Sequence, residues 1–101
     1  MIGNYKVVTL CGSTRFKDDF MRVQKELTLK GFIVISPGIF SHSDNELYSQ
    51  NIKEMLIDMH KRRMDMCDEI YVINKNGYIG NSTKHEIEYA KKHNKKVNYM
   101  E

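Results

Sequence analysis

VVTLCGSTR, the stretch at residues 7–15, decides the fold of this chain. Its first five residues form a short apolar run, which predicts a strand buried on both faces of a sheet. Gly12 ends the run, and Ser13 or Thr14 can cap a helix that follows. That helix is indicated by a narrow apolar stripe at spacings of four, three and four residues, made of Phe16, Phe20, Val23 and Leu27. The chain therefore opens with a strand, a glycine-containing loop and a helix.

The same alternation continues to the end of the chain. Gly31 has the position of a glycine that ends a helix. The further predicted elements are a buried strand at 32–35, a helix at about 51–66, a strand at 70–73, a helix at about 83–93 and a short strand at 97–99. This order predicts an α/β fold, a doubly wound, flavodoxin- or Rossmann-like parallel sheet of about four strands with helices on both faces. We expect a single domain over residues 1–101, since a chain of this length has room for one core.

The second predicted helix has an apolar side, which we expect to pack into the core. That side comprises Ile52, Met55, Leu56, Met59, Met66 and Cys67. Its methionines are interpreted as core filling, because a flexible thioether fits irregular gaps. Residues 39–49, before this helix, are polar and show no period, which is typical of lids and binding loops. Within them, His42, Asp44 and Tyr48 are interpreted as ordinary loop residues.

Composition excludes several classes of protein. A formal charge of +3 is too small to indicate nucleic-acid binding, and no apolar run approaches the roughly 20 residues of a membrane-spanning helix. The first residues lack the pattern of a signal peptide. Cys11 and Cys67 lie in apolar surroundings without paired spacing, so we interpret them as reduced thiols and expect a cytoplasmic location. The four His and two Cys show no ligand spacing, so no metal site is predicted.

Two loops should meet at one edge of this sheet. Parallel α/β sheets bind ligands beyond the carboxyl ends of the strands, here at residues 11–15 and 74–86. Gly12 allows close backbone approach, Ser13 offers a hydroxyl, and Arg15 offers a planar guanidinium for a phosphate. The alternative interpretation is a tight turn with a helix cap and a solvated Arg15. The spacing is not that of a P-loop.

Glu86 and His60 are the candidate chemical groups. Thr83 and Glu86 match a capping box, in which Glu86 would bond back to the Thr83 N–H. The helical period instead places Glu86 at the rim between core and cleft, and from the period alone both interpretations stay open. His60 flanks the apolar side of its helix, where a lone histidine is more often a structural residue than an acid or base.

Three segments resemble the nucleoside 2-deoxyribosyltransferases and the related 2′-deoxynucleoside 5′-phosphate N-hydrolases. LCGSTR at residues 10–15 resembles the family's opening strand and glycine–serine–arginine loop, and CDEIYVI at residues 67–73 resembles its third strand. STKHEIEYA at residues 82–90 resembles its segment G-T-x-x-E-[LI]-G-Y-A, in which the glutamate is the nucleophile. This resemblance implies cleavage or exchange of an N-glycosidic bond through Glu86, without a cofactor.

The resemblance also implies roles for other residues. The loop of Gly12, Ser13, Thr14 and Arg15 would bind the 5′ side of a nucleoside or nucleotide, assisted by Asn81 and Ser82 if a phosphate is present. His60 stands where the family usually has an aspartate near the sugar, and Glu88 replaces a common glycine. Relatives are homo-oligomers, so we expect the same here. The alternatives are a nucleotide-binding module without turnover and a structural or partner-binding domain.

Overall fold

Four parallel strands form one sheet in the computed structural model, which describes residues 3–101. The strands are β1 (Val7–Gly12), β2 (Ile33–Ile35), β3 (Glu69–Ile73) and β4 (Lys96–Tyr99). They are connected by the helices α1 (Lys17–Leu29), α2 (Gln50–Asp65) and α3 (Asn81–Lys92). The strand order is β2-β1-β3-β4, and every neighbouring pair is parallel. The predicted doubly wound α/β fold is confirmed.

The side chains of the two central strands alternate between two cores. On one face, Val8 and Leu10 of β1 pack with the α1 residues Phe20, Val23 and Leu27. On the other face, Cys11 of β1 packs with residues of β3, α2 and α3, namely Met64, Ile70, Val72, Ile87 and Ala90. This alternation has the period of two that a strand requires. It places α1 on one face of the sheet and both α2 and α3 on the other.

The strand β2 differs from the prediction. Phe32 lies outside it, and Ile33 is 52% exposed. β2 pairs only with β1, so it forms an edge of the sheet and is not buried on both faces. Gly31 does end the preceding helix region, with a φ of 96° that a glycine adopts without strain.

The predicted apolar side of α2 is wrong as a core face for four of its six residues, whereas Cys67 is buried in the core and Leu56 is half-buried. Ile52, Met55, Met59 and Met66 are between 39% and 59% exposed, and within α2 only Met64 is buried. The helix is turned so that Met64 enters the core while His60 and Arg63 line a cleft. The methionines of the outer face therefore fill no gap in this core. Among residues 3–101, no helix combines the length and apolar character needed to cross a membrane.

Candidate active site

The two predicted loops meet at the carboxyl edge of β1 and β3, where they form a cleft of about 550 Å³. These are the strands at which the chain reverses its direction of winding, so the cleft lies where open α/β sheets bind ligands. Every residue predicted for the site lines it: Gly12, Ser13, Thr14, Arg15, His60, Asn81, Ser82 and Glu86.

The backbone at the end of β1 is tightly constrained. Gly12 has a φ of 140°, and a Cβ built on it would lie 2.7 Å from the backbone oxygen of Ile73. Gly12 and Ile73 are partners in the parallel pairing of β1 with β3. Only a glycine allows this close approach, which brings the loop after β1 against the end of β3.

Arg15 is held in position by two neighbours. The hydroxyl of Ser13 accepts hydrogen bonds from the backbone N–H of Arg15 at 3.3 Å and from its Nε at 3.0 Å. The guanidinium lies 4.7 Å from the ring centroid of Tyr78, within the range of a cation–π interaction. Ser13 thus caps the short 3₁₀ turn Thr14–Phe16, while α1 begins after Phe16 without a side-chain cap. The turn-and-cap interpretation is correct for this loop, including the exposed Arg15 that it expected, and the exposed Arg15 also lines the cleft.

The predicted capping box of Thr83 and Glu86 is absent. The helix α3 begins at Asn81, two residues before the expected start, after an extended Gly80. Thr83 is consequently a buried helical residue, and Glu86 lies in the second turn of the helix. The N–H groups of the first turn, which include those of Asn81 and Ser82, have no partner within a helix. They leave partial positive charge at the cleft wall, because both residues line it.

Glu86 instead meets His60 and Cys11. The distance from His60 Nε2 to Glu86 Oε1 is 3.4 Å, and that from Cys11 Sγ to His60 Nε2 is also 3.4 Å. The side chains of His60 and Glu86 are 14% and 22% exposed. Although the His60 contact is short enough for an ion pair, Glu86 Oε1 is buried and has no hydrogen-bond partner among residues 3–101.

The environment of these groups affects the thiol most. Burial raises the pKa of Cys11 well above its usual range, and the negative charge of Glu86 raises it further. Cys11 is therefore a neutral thiol at neutral pH. Both cysteines are free and buried, as the sequence predicted.

Positive charge dominates the rest of the cleft. Arg15, Lys53 and Arg63 line it, whereas Glu86 is the one carboxylate in the described part of its wall. Lys53, Tyr78 and Cys11 were not predicted as site residues. Strand alternation could have placed Cys11 on the opposite side from Leu10, but only the packing of α2 and α3 brings His60 and Glu86 to it.

The segment between β2 and α2 covers one side of the cleft. Phe40 is buried against Phe20, with ring centroids 5.4 Å apart, and the backbone N–H of His42 donates to Thr14 Oγ1 at 3.3 Å. Asp44 pairs with Lys17 at 3.0 Å. Of the three loop residues considered from sequence, His42 lines the cleft, Asp44 makes this ion pair, and Tyr48 donates to Glu46 at 2.9 Å.

Comparison with known proteins identifies one family. No curated protein and no solved structure matches the chain. The profile of one protein family, "Domain of unknown function (DUF4406)", matches residues 7–99, which include all four strands and the whole cleft wall. The chain belongs to the DUF4406 family.

Proposed function

We propose that this protein cleaves the N-glycosidic bond of a nucleoside 5′-monophosphate or nucleoside, with Glu86 as the nucleophile. The observation that carries the proposal is the position of the Glu86 carboxylate. It is free of any helix cap and lies in the cleft wall beside His60, with the loop of Ser13 and Arg15 lining the same cleft. The resemblance of residues 82–90 to a nucleophile-bearing segment supports the same assignment.

The proposed reaction uses these groups in two steps. A Glu86 oxygen attacks C1′ of the sugar, the bond from C1′ to the base nitrogen breaks, and the base leaves with the bonding electron pair and gains a proton. His60 adjoins Glu86 and is the group in this wall suited to supply that proton, since an imidazole ring can act as a general acid and as a general base. Water, or a second base, then attacks C1′ of the glycosyl ester and gives up a proton to His60, while the C1′–O bond to Glu86 breaks and restores the free carboxylate.

The charges of the cleft favour a substrate that carries a phosphate. Arg15, Lys53 and Arg63 surround a space with one carboxylate, and the N-terminus of α3 adds backbone N–H groups. An uncharged nucleoside would leave these cations unpaired. We therefore expect nucleoside 5′-monophosphates to be better substrates than the corresponding nucleosides.

A second function is a nucleotide-binding module without turnover. The observation that favours it is His60, which contacts Glu86. By resemblance, His60 stands where the nucleoside 2-deoxyribosyltransferases usually have an aspartate. Under this proposal the cleft binds the same nucleotides but does not release a base. We further propose a cytoplasmic location, based on the two reduced cysteines, and a homo-oligomeric state.

The test is a panel of ribo- and deoxyribonucleosides and their 5′-monophosphates, incubated with and without a second base. Free base is followed by chromatography. Glu86→Gln removes the nucleophile, so we expect the rate of base release to fall by at least about 10³-fold while nucleotide binding is retained.

Glu88→Gln is the matched control, because Glu88 is an exposed glutamate on the same helix. It should leave base release unchanged. Equal base release by the Glu86→Gln protein and the unmutated protein would contradict the assignment of the nucleophile. Nucleotide binding without base release in the unmutated protein would support the module without turnover.

A further inference from the structure

Three side chains that can bind a metal lie close together at the wall of the cleft. Cys11 comes from β1, His60 from α2 and Glu86 from α3, and one ligand atom of each, including a carboxylate oxygen of Glu86, lies within 4.8 Å of the other two. Two of the separations, Cys11 Sγ to His60 Nε2 and His60 Nε2 to Glu86 Oε1, are 3.4 Å. No hydrogen-bond donor in the described chain satisfies Glu86 Oε1, although that atom is buried.

These separations match the edges of a tetrahedral zinc site. Zinc binds sulfur at about 2.3 Å and nitrogen or oxygen at about 2.0–2.1 Å, so tetrahedral angles place its ligand atoms roughly 3.4–3.6 Å apart. The two 3.4 Å separations already fit this pattern. The remaining edge, from Cys11 Sγ to a carboxylate oxygen of Glu86, is no longer than 4.8 Å.

The donor types also select the metal. One thiolate, one imidazole and one carboxylate suit zinc, whereas magnesium and calcium prefer sets of oxygen ligands. A thiolate and a carboxylate together cancel the two positive charges of the ion. A neutral complex is what buried surroundings require, because Cys11 is only 1% exposed and an uncompensated charge there would be costly.

We propose that Cys11, His60 and Glu86 form a Zn²⁺ site whose fourth coordination position opens to the cleft. His60 and Glu86 line the cleft, so a water molecule or a cleft ligand can complete the coordination. When the zinc–sulfur bond forms, the Cys11 thiol releases its proton to solvent. Zinc then holds the Glu86 carboxylate, which is no longer free to attack a sugar. Zinc therefore inhibits base release, and this last step rests on the proposed function.

Binding is tested with Co²⁺ on the full chain after chelator treatment, because Co²⁺ occupies tetrahedral zinc sites and absorbs light whereas d¹⁰ zinc does not. We expect one equivalent of Co²⁺ to give a thiolate-to-cobalt charge-transfer band that Zn²⁺ removes by competition. Cys11→Ala should abolish this band and weaken Zn²⁺ affinity by at least about 100-fold. Cys67→Ala is the matched control, since Cys67 is the other buried free thiol and donates to the Met64 carbonyl instead.

The Cys67→Ala protein should show the full band. Absence of the band from the unmutated protein, or an equal band in the Cys11→Ala protein, would overturn the site. If Cys11→Ala fails to fold, His60→Asn provides the same test at a residue that is less buried, and an undiminished band there would also overturn it.

Base release distinguishes this proposal from the proposed function. Zn²⁺ should inhibit the unmutated and Cys67→Ala proteins but not the Cys11→Ala protein. Inhibition that persists in Cys11→Ala would contradict the regulatory step. If no variant releases base even without metal, the proposed function fails, whereas the cobalt spectrum still decides whether the metal site exists.

Discussion

At the scale of single residues, the place where α3 begins determines what Glu86 can do. A helix that started after Thr83 would put Glu86 in position to bond back to the Thr83 N–H. The helix instead starts at Asn81, so Glu86 is its sixth residue and reaches His60. A capping box and a catalytic carboxylate have the same sequence pattern here. A shift of two residues in the start of α3 decides between a capping role and a place in the cleft for Glu86. The extended Gly80 fixes that start at Asn81.

Gly12 provides a direct test of the close contact between β1 and β3. Gly12→Ala should lower the free energy of unfolding by about 3 kcal/mol or more, because it adds both a strained φ and a clash with the Ile73 carbonyl. Gly77→Ala is the control. Gly77 has a φ of 77° but no atom within 4 Å of an added Cβ, so its loss should be about 1 kcal/mol from φ strain alone.

Urea denaturation of both glycine variants measures the two losses. The difference between them reports the close approach of the two backbones at the edge of the cleft. Equal losses for Gly12→Ala and Gly77→Ala would contradict that approach, because φ strain would then account for both.

The cluster of Cys11, His60 and Glu86 shows where residue-level prediction from sequence ends. The sequence indicated Glu86 and His60 as candidates and placed Cys11 in a buried strand. It did not indicate that Cys11 Sγ would lie 3.4 Å from a histidine 49 residues away. Metal-ligand motifs are recognised by short spacing, and these three residues come from three separate elements. Only tertiary packing brings them together.

At the scale of elements, most boundaries could be predicted and one helix face could not. Glycines and apolar runs placed all three helices and all four strands within two residues of their observed ends, apart from the short 3₁₀ turn that delays α1 to Lys17. For α2, the sequence shows an apolar stripe but not what covers it. The spacing of apolar residues along a helix is the same whether that face packs on the sheet of its own chain or on another molecule. The side of α2 that enters the core is the one that carries Met64.

The pKa of Tyr89 reports the packing of α2 against α3. Tyr89 of α3 donates a hydrogen bond of 2.7 Å to Asp65 of α2, and this bond, with the negative charge of Asp65, raises the pKa of Tyr89. Asp65→Ala removes the hydrogen bond and the Asp65 charge but not the burial or the charge of Asp58, so the pKa of Tyr89 should fall toward the ordinary tyrosine value of about 10. NMR titration of ¹³C-labelled tyrosine rings measures this change.

The sign of the effect on stability follows from the raised pKa. In the unmutated protein, the Tyr89–Asp65 bond contributes fully to the free energy of unfolding below the pKa of an unfolded-state tyrosine, about 10. This contribution is lost as the pH rises through the raised pKa of Tyr89 in the folded state. Asp65→Ala should weaken this dependence. Tyr48 is an internal control, since its pKa is raised by Glu46 and should not move. An unchanged Tyr89 titration in Asp65→Ala would show that the two helices are not joined by this bond.

At the scale of the whole molecule, the cleft and an exposed apolar surface share one helix. One side of α2 supplies His60 and Arg63 to the cleft. Its outer face, here called the α2 face, consists of Ile52, Met55, Met59 and Met66, which are 39–59% exposed. A row of exposed apolar side chains of this kind on a small domain typically marks an interaction site. A partner bound there would lie next to the cleft.

We propose that a second copy of this chain covers the α2 face. Asp58 and Arg62 flank the face at helical spacing, and neither forms an ion pair within residues 3–101. If two copies pair their α2 helices antiparallel about a two-fold axis, Asp58 of each copy can approach Arg62 of the other, as an isologous interface requires. Such pairing also aligns the opposite ends of the helix dipoles.

Self-association through the α2 face is tested by sedimentation equilibrium over a range of protein concentrations. We expect the unmutated chain to form a dimer or a higher oligomer, and Met59→Glu to weaken association by at least about 100-fold, because it buries a carboxylate in an apolar interface. Met21→Glu is the matched control, since Met21 is a methionine of similar exposure, 48%, on α1. It should leave the association constant unchanged. A monomer at every concentration, or equal weakening by both substitutions, would exclude the α2 face as the contact between copies.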